Sequence, residues 1–228
     1  MLGRPRFRDR VEAGVLLGRE LAQRVKSSDD PMVLALPRGG VPVGYEIARA
    51  LEAPLDVFIV RKLGVPGHEE LAMGAIASGG VRVMNEEVLN YLPRLSDRDI
   101  DAVAAREQVE LERREKSYRG NRPPLDVSGR TVIVVDDGLA TGSTMRAAVR
   151  ALRRMNPRAI MVAVPVAAPS TCQEFRAEVD EIVCLHTPEP FNAVGLWYED
   201  FSQTTDEEVH ALLDAANRAE ATQVRSPR

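Results

Sequence analysis

The chain is poor in the residues that build disulfide frameworks and metal cages. Its two cysteines, Cys172 and Cys184, form no C-x-x-C pair, so they are expected to be reduced, small core residues of a cytosolic protein. The three histidines, His68, His186 and His210, are scattered and no H-E-x-x-H occurs, which argues against a structural metal site. No apolar run approaches the roughly 20 residues a membrane span needs. Residues 1–10 lack the apolar centre of a signal peptide, so no membrane association is expected. Two phosphate-loop fingerprints are missing as well: there is no G-x-x-x-x-G-K-[ST], and no G-x-G-x-x-G after a strand. Internal repeats and low-complexity blocks are also lacking. The net charge of −4 speaks against a broad nucleic-acid footprint, although a local basic patch remains compatible with it.

What is present suits one α/β domain. The 228 residues, 44% of them apolar, suffice for a full core with room for one insertion or appendage. The chain is organised around 132–144, V-I-V-V-D-D-G-L-A-T-G-S-T. Val132, Ile133, Val134 and Val135 lack polar alternation and read as a strand buried on both faces. Asp136 and Asp137 follow where that strand should end. Gly138 to Thr144 is a run of small and hydroxylic residues leading into a helical pattern, 145–155. The free N–H groups and the dipole of such a helix N-terminus hold a phosphate, and Thr141, Ser143 and Thr144 add hydroxyl donors. The two carboxylates lie about a sugar's width away, suited to paired ribose hydroxyls or to a magnesium-water shell.

Elsewhere, strand and helix patterns alternate, which implies a mostly parallel sheet with helices on both faces and ligands at the carboxyl ends of the strands. Residues 1–8 read as an exposed basic arm, followed by a helix over 9–25 capped by Asp9. A strand at 32–36 is broken by Pro37-Arg38-Gly39-Gly40, and a helix over 42–51 precedes a strand at 56–60. The glycine-rich stretch 64–71 is expected to be disordered without ligand, and 73–78 should pair with 81–84 about a Gly79-Gly80 turn. A short helix over 85–91 precedes a long one opened by Ser96, with Asp99 completing a capping box. That long helix has a thin apolar stripe of Ile100, Val103 and Leu111. It reads as a solvated helix projecting from the core, or as an oligomer contact or a cover over the site. Further on come a strand at 160–164, a helix over 170–177 capped by Ser170 and a strand at 181–185. A loop at 188–201 is rich in aromatics. The last helix is capped by Thr205 and runs to about 220, with 221–228 frayed.

Three further pieces have site chemistry. In Pro37–Gly40 the glycines permit φ > 0 or an unusual peptide and expose N–H groups, while Arg38 adds a forked cation suited to phosphate oxygens. Arg61 and Lys62 end a strand beside the glycine-rich stretch, as ordinary strand-end charge or as cations for an anionic ligand. His68, Glu69 and Glu70 read as solvated loop charge. Phe191, Trp197 and Tyr198 can stack on a base or pack against the last helix, and both readings stand.

The 132–144 string resembles the phosphoribosyl-pyrophosphate (PRPP) motif of the type I phosphoribosyltransferases over all thirteen of its positions, within a resemblance covering about 30–185. The resemblance implies that family's Rossmann-like sheet, with a helical insertion at about 85–122 and a small C-terminal hood at about 186–202. It implies that Asp136 and Asp137 bind the ribose hydroxyls, and that Gly138, Ala140, Thr141, Gly142, Ser143 and Thr144 belong to the PRPP site, with 140–144 on its 5-phosphate. Arg38, Gly39, Gly40, Arg61 and Lys62 would hold pyrophosphate with Mg²⁺, which is reached by Asp136 and Asp137 through water. Arg38, Lys62 and Asp137 would be the catalytic residues, and Phe191, Trp197 and Tyr198 the hood's base contacts. The implied reaction is displacement of pyrophosphate from C1 by a nitrogen nucleophile. A homodimer is the expected assembly. Hypoxanthine-guanine members carry an aspartate where Ala140 stands, which speaks against a 6-oxopurine handled in that way. The string looks closer to the adenine enzymes, but the hood and insertion do not follow them, so the acceptor stays open. Two other readings are a PRPP-sensing binding protein, for which Arg106, Arg113, Arg114 and Lys116 leave an opening, and another transfer or hydrolysis on a phosphorylated sugar.

Overall fold

The protein is described by a computed structural model covering residues 6–92 and 95–224. In chain order its elements begin with α1 (Arg10–Leu21), β1 (Pro31–Ala35), α2 (Gly40–Leu51), β2 (Leu55–Val57), β3 (Val60–Val65), β4 (His68–Ala77) and β5 (Val81–Met84). Then follow α3 (Glu86–Asn90), α4 (Asp97–Arg119), β6 (Thr131–Val135), α5 (Ser143–Arg153), β7 (Ala159–Val166), α6 (Pro169–Phe175), β8 (Glu181–His186) and α7 (Asp206–Val224). Five strands make a parallel sheet in the order β2-β1-β6-β7-β8, and β3-β4-β5 make a separate antiparallel sheet.

The register explains why the central strands carry no polar alternation. Val33 pairs with Ile133 and Ile133 with Met161, and these side chains join the core beneath α1, α2, α4 and α7. Their neighbours Leu34, Val134 and Val162 form the opposite core beneath α5 and α6. Both faces are dry, so both side-chain sets must be apolar. Parallel order brings Ala35 and Val135 level at one rim, and the two polar turns that follow them meet there.

Several expectations are corrected. The apolar run 56–60 is two strands, because β2 ends at Val57 and β3 starts at Val60. Phe58 donates its N–H to Ala35 of one sheet at 3.0 Å, and Ile59 donates to the Ser78 hydroxyl in the other at 2.9 Å. A run without period cannot show such a change of partner. The stretch 64–71 is an ordered hairpin tip, with Val65 paired to His68 and register shifts on either side of Gly64. Gly64 lies so close to β4 that a Cβ there would stand 2.6 Å from the Glu69 carbonyl oxygen, so this glycine serves proximity and not mobility. Residues 1–5 lie outside the described region, but Phe7 is no exposed arm: it is buried, and its backbone pairs with Trp197 and Glu199. Helix α6 starts at Pro169 after Ala168, without a Ser170 cap. Helix α7 continues to Val224, and 225–228 lie outside the described region.

The long helix α4 opens with the expected Ser96–Asp99 capping box. It is not a solvated projection, however. Ile100, Val103, Ala104 and Leu111 are buried in the core shared with α2 and β1, and the helix lies along β3. Its many charges pair with one another on the outer face, as in Arg113 and Arg114 with Glu110. Among the described residues no helix is long and apolar enough to cross a membrane. Cys172 and Cys184 are free thiols side by side on α6 and β8.

Leu111 is fully buried and Val109 is 69% exposed on the same helix. Leu111→Ala is therefore expected to lower unfolding free energy by about 2–5 kcal/mol and Val109→Ala by about 0.5 kcal/mol or less, read by urea denaturation. Equal small losses would return α4 to the solvated reading.

Candidate active site

The site forms at the carboxyl rim of β1 and β6. Strand β6 delivers Asp136 and Asp137, both half-buried. Asp136 Oδ1 accepts the Asp137 N–H at 2.9 Å. Asp137 Oδ2 accepts from Arg10 Nε and forms an ion pair with Arg10 Nη2, each at 2.8 Å. Burial pushes the Asp136 carboxyl well above the usual carboxylate range, and the neighbouring Asp137 charge adds to this. Burial raises Asp137 too, against the opposing pull of the Arg10 guanidinium. One arginine thus faces two crowded acids.

The turn after β1 lies directly against them. A Cβ on Gly39 would overlap Asp137 Oδ2, and one on Gly40 would stand 2.6 Å from the Val135 carbonyl oxygen. Gly39 has φ −60, so proximity and not a left-handed backbone requires these glycines. The unusual peptide is Pro37–Arg38, which is cis. Arg38 is partly exposed, with Nη1 3.8 Å from Asp206 Oδ1 at the start of α7. The structure thus brings Gly39 and Gly40 against the acid pair, with Arg38 next to them in the turn and its guanidinium near Asp206.

The loop 138–144 is held from below and open above. Gly142, at φ +69, turns the chain into α5 and provides no side-chain cap, which leaves first-turn N–H groups to a ligand. A Cβ on Gly142 would stand 2.6 Å from the Phe175 ring. The Ala140 carbonyl accepts from Thr171 Oγ1 at 2.6 Å and the Thr141 carbonyl from Arg146 Nη1 at 2.7 Å. Arg146 is itself anchored by Glu174 and Glu178. Thr141, Ser143 and Thr144 remain exposed. Gly138 is buried under the aromatic segment, where a Cβ would stand 2.5 Å from Val194.

The hairpin residues separate in role. Lys62 is exposed and shares a groove of about 180 Å³ with Ser143 and a hollow of about 350 Å³ with Thr144. It has no ion pair among the described residues. Arg61 donates through Nε and Nη2 to Glu107 Oε2 of α4, at 3.0 and 2.6 Å. It is engaged with the helix, so its expected pyrophosphate role would require breaking that pair. His68, Glu69 and Glu70 are exposed on the hairpin, in line with solvated charge.

The expected base contacts are displaced. Trp197 and Tyr198 are 5% and 3% exposed, buried with Phe7, Ala13 and Val166. Neither ring presents a free face, and both pack against the N-terminal segment instead of α7. Phe191 is half-buried against the same cluster. Burial raises the Tyr198 phenol, and its hydroxyl donates to the Asp137 carbonyl at 2.7 Å. The aromatic segment therefore braces the acid pair from behind. Two nearby residues were not among the expected site residues. Phe201 keeps an exposed surface and lies 4.0 Å from the Arg10 guanidinium. Arg10 comes from 127 positions before Asp137, and no local pattern could connect them.

Residues 9–199 match the family model described as phosphoribosyl transferase domain, and the chain belongs to that family. A Mycobacterium tuberculosis H37Rv protein, provisionally named a phosphoribosyl transferase, is 46% identical over 93% of this chain and 47% of its own length. The chain thus spans about half the length of that curated relative. The bifunctional protein PyrR of Deinococcus deserti is 28% identical over 72% of this chain and 97% of its own. The crystal structure of TT1426 from Thermus thermophilus superposes with a TM-score of 0.81 at 44% identity, covering 91% of this chain and 97% of that one. The parallel sheet with its flanking helices is therefore the family's fold.

Gly39→Ala is expected to cost about 1–3 kcal/mol of stability through overpacking against Asp137. Gly67→Ala, at a hairpin tip where a Cβ meets nothing within 4 Å, isolates the separate cost of positive φ. Denaturant titration reads both, and a neutral Gly39→Ala would contradict the close approach.

Proposed function

We propose that the chain is a Mg-dependent phosphoribosyltransferase that moves the phosphoribosyl group of PRPP to a nitrogen nucleophile, a nucleobase in nucleotide salvage, with release of pyrophosphate. The observation that carries this reading is one rim holding an acid pair, an uncapped α5 N-terminus and the Arg38-Gly39 turn. These three suit the diol, the 5-phosphate and the pyrophosphate of a single ligand.

In this reading Asp136 and Asp137 accept the ribose hydroxyls and hold the sugar. The 5-phosphate takes the N–H groups and hydroxyls of 140–144. Arg38 and Gly39–Gly40 hold the pyrophosphate, and Lys62, free of ion pairs among the described residues and close to Ser143, neutralises charge as that group leaves. The nearby carboxylates stabilise the oxocarbenium character at C1 while the nitrogen nucleophile attacks. Among the described residues no three His, Cys, Asp or Glu side chains gather into a metal cage. The two adjacent acids fit an ion held mainly by phosphate oxygens and water. When bound, magnesium supplies neutralising charge to the departing pyrophosphate. A homodimer in the cytoplasm belongs to the same proposal.

The sensor reading is weaker. Of its basic residues, Arg106, Arg113 and Arg114 are paired with Glu107 and Glu110, which reduces the charge open to a polyanion. With Ala140 at the loop, the choice of base is left to assay.

The test is a panel of nucleobases and related nitrogen compounds with PRPP and Mg²⁺, read by pyrophosphate release. Turnover with one acceptor supports the proposal, and tight PRPP binding without turnover on a broad panel supports the sensor reading. Asp137→Asn is expected to lower kcat/KM by about tenfold or more, about 1.4 kcal/mol or greater, with the fold retained by circular dichroism. Arg38→Ala should weaken pyrophosphate binding more than ribose 5-phosphate binding, and equal losses in calorimetry would contradict its role.

A further inference from the structure

The geometry points to Arg10, on the first turn of α1, as the positioning residue of the ribose site, acting through Asp137. This assignment rests on the phosphoribosyl reading above. Arg10 Nε and Nη2 both approach Asp137 Oδ2 at 2.8 Å, and Gly39 closes on the same oxygen, with no room for a Cβ. Oδ2 is therefore enclosed by protein, and Oδ1 is the oxygen left to accept from a ligand hydroxyl. The Asp137 main chain is fixed as well, since its carbonyl accepts from the buried Tyr198 hydroxyl. Side chain and main chain are thus oriented by residues from both ends of the chain.

Arg10 is itself held in place. Its Nη1 donates to the Ser202 carbonyl at 2.7 Å, and its guanidinium lies 4.0 Å from the Phe201 ring centroid. The Arg10 and Asp137 side chains are 11% and 15% exposed, so solvent screens the pair little. Helix energetics do not explain this arginine. It is the first residue of α1, where the helix dipole disfavours a cation, and Asp9 already caps the helix through the Glu12 N–H. Its place is explained by what it meets across the fold. A guanidinium bonded to one carboxylate oxygen and anchored at two further points fixes the carboxylate plane, which pre-orients the other oxygen for the sugar.

The test is calorimetric titration of the full chain, comparing wild type with Arg10→Ala, Arg10→Lys, Asp137→Asn and the Arg10→Ala/Asp137→Asn double variant. The ligands are PRPP, ribose 5-phosphate and inorganic pyrophosphate. Arg10→Ala is expected to weaken PRPP and ribose 5-phosphate binding about tenfold and leave pyrophosphate within about twofold, with Arg10→Lys restoring part of the loss. The double variant should bind PRPP within about twofold of Asp137→Asn alone, because Arg10 acts through Asp137. Multiplying losses in the double variant would overturn the assignment, as would wild-type PRPP affinity in Arg10→Ala or an equal loss for pyrophosphate. Should Arg10→Ala not fold, Arg10→Gln carries the same comparisons. Wild type failing to bind PRPP would instead remove the phosphoribosyl reading itself.

Discussion

Two carboxylates placed side by side at the end of a buried strand are the constraint on which the rest of this rim depends. Burial and mutual repulsion disfavour the charge of Asp136 and Asp137, so their surroundings must supply compensation without filling the space a ligand needs. The protein meets this with one buried cation, a glycine turn packed so closely that a Cβ would overlap Asp137, and a tyrosine behind the main chain. Each comes from a different part of the chain: α1, the turn after β1 and the segment before α7. The acid pair thus ties α1 and the segment before α7 to the sheet's centre. Phe7 and Tyr198 bury each other as part of that tie.

The second sheet and α4 form a separate support. The hairpin β3–β4 reaches toward the loop before α5 with Lys62, and α4 holds the hairpin through Arg61 and Glu107. At its other end α4 is fastened by Arg119, which together with Arg122 pairs with the buried Asp56 of β2. A buried acid shared by two arginines is costly to break, because loss of either cation leaves the charge less compensated. The long helix therefore joins the edge of the parallel sheet to the hairpin, and its apolar stripe was enough to bury it despite its charge density.

Much of the framework was legible in the sequence because it depends on local rules. The unalternated run 132–135 announced a central strand, Ser96 and Asp99 opened α4, and the Gly79-Gly80 pair marked the β4–β5 turn. The loop 138–144 between that central strand and α5 was legible for the same reason, being one contiguous stretch of small and hydroxylic residues. The aromatic loop misled, because an aromatic ring carries the same composition signal whether it faces a ligand or a core. Only neighbours decide, and for Trp197 and Tyr198 the neighbours are Phe7, Ala13 and Val166. Gly64 misled likewise: glycine signals mobility and close approach with the same letter.

The sequence by itself determined that this chain builds a parallel α/β sheet with an acid pair and a loop of small residues on one strand–helix junction, since strand burial, caps and turns are written in adjacent residues. Tertiary structure alone decided which residues attend that junction. Arg10 reaches Asp137, Gly39 makes room for it, Arg61 is engaged with Glu107 and the rings of Trp197 and Tyr198 are buried. These pairings span tens to more than a hundred positions, and nothing in either partner's local pattern records the other. They are fixed only when packing brings separate rims together and each buried charge takes the nearest opposite charge the fold provides.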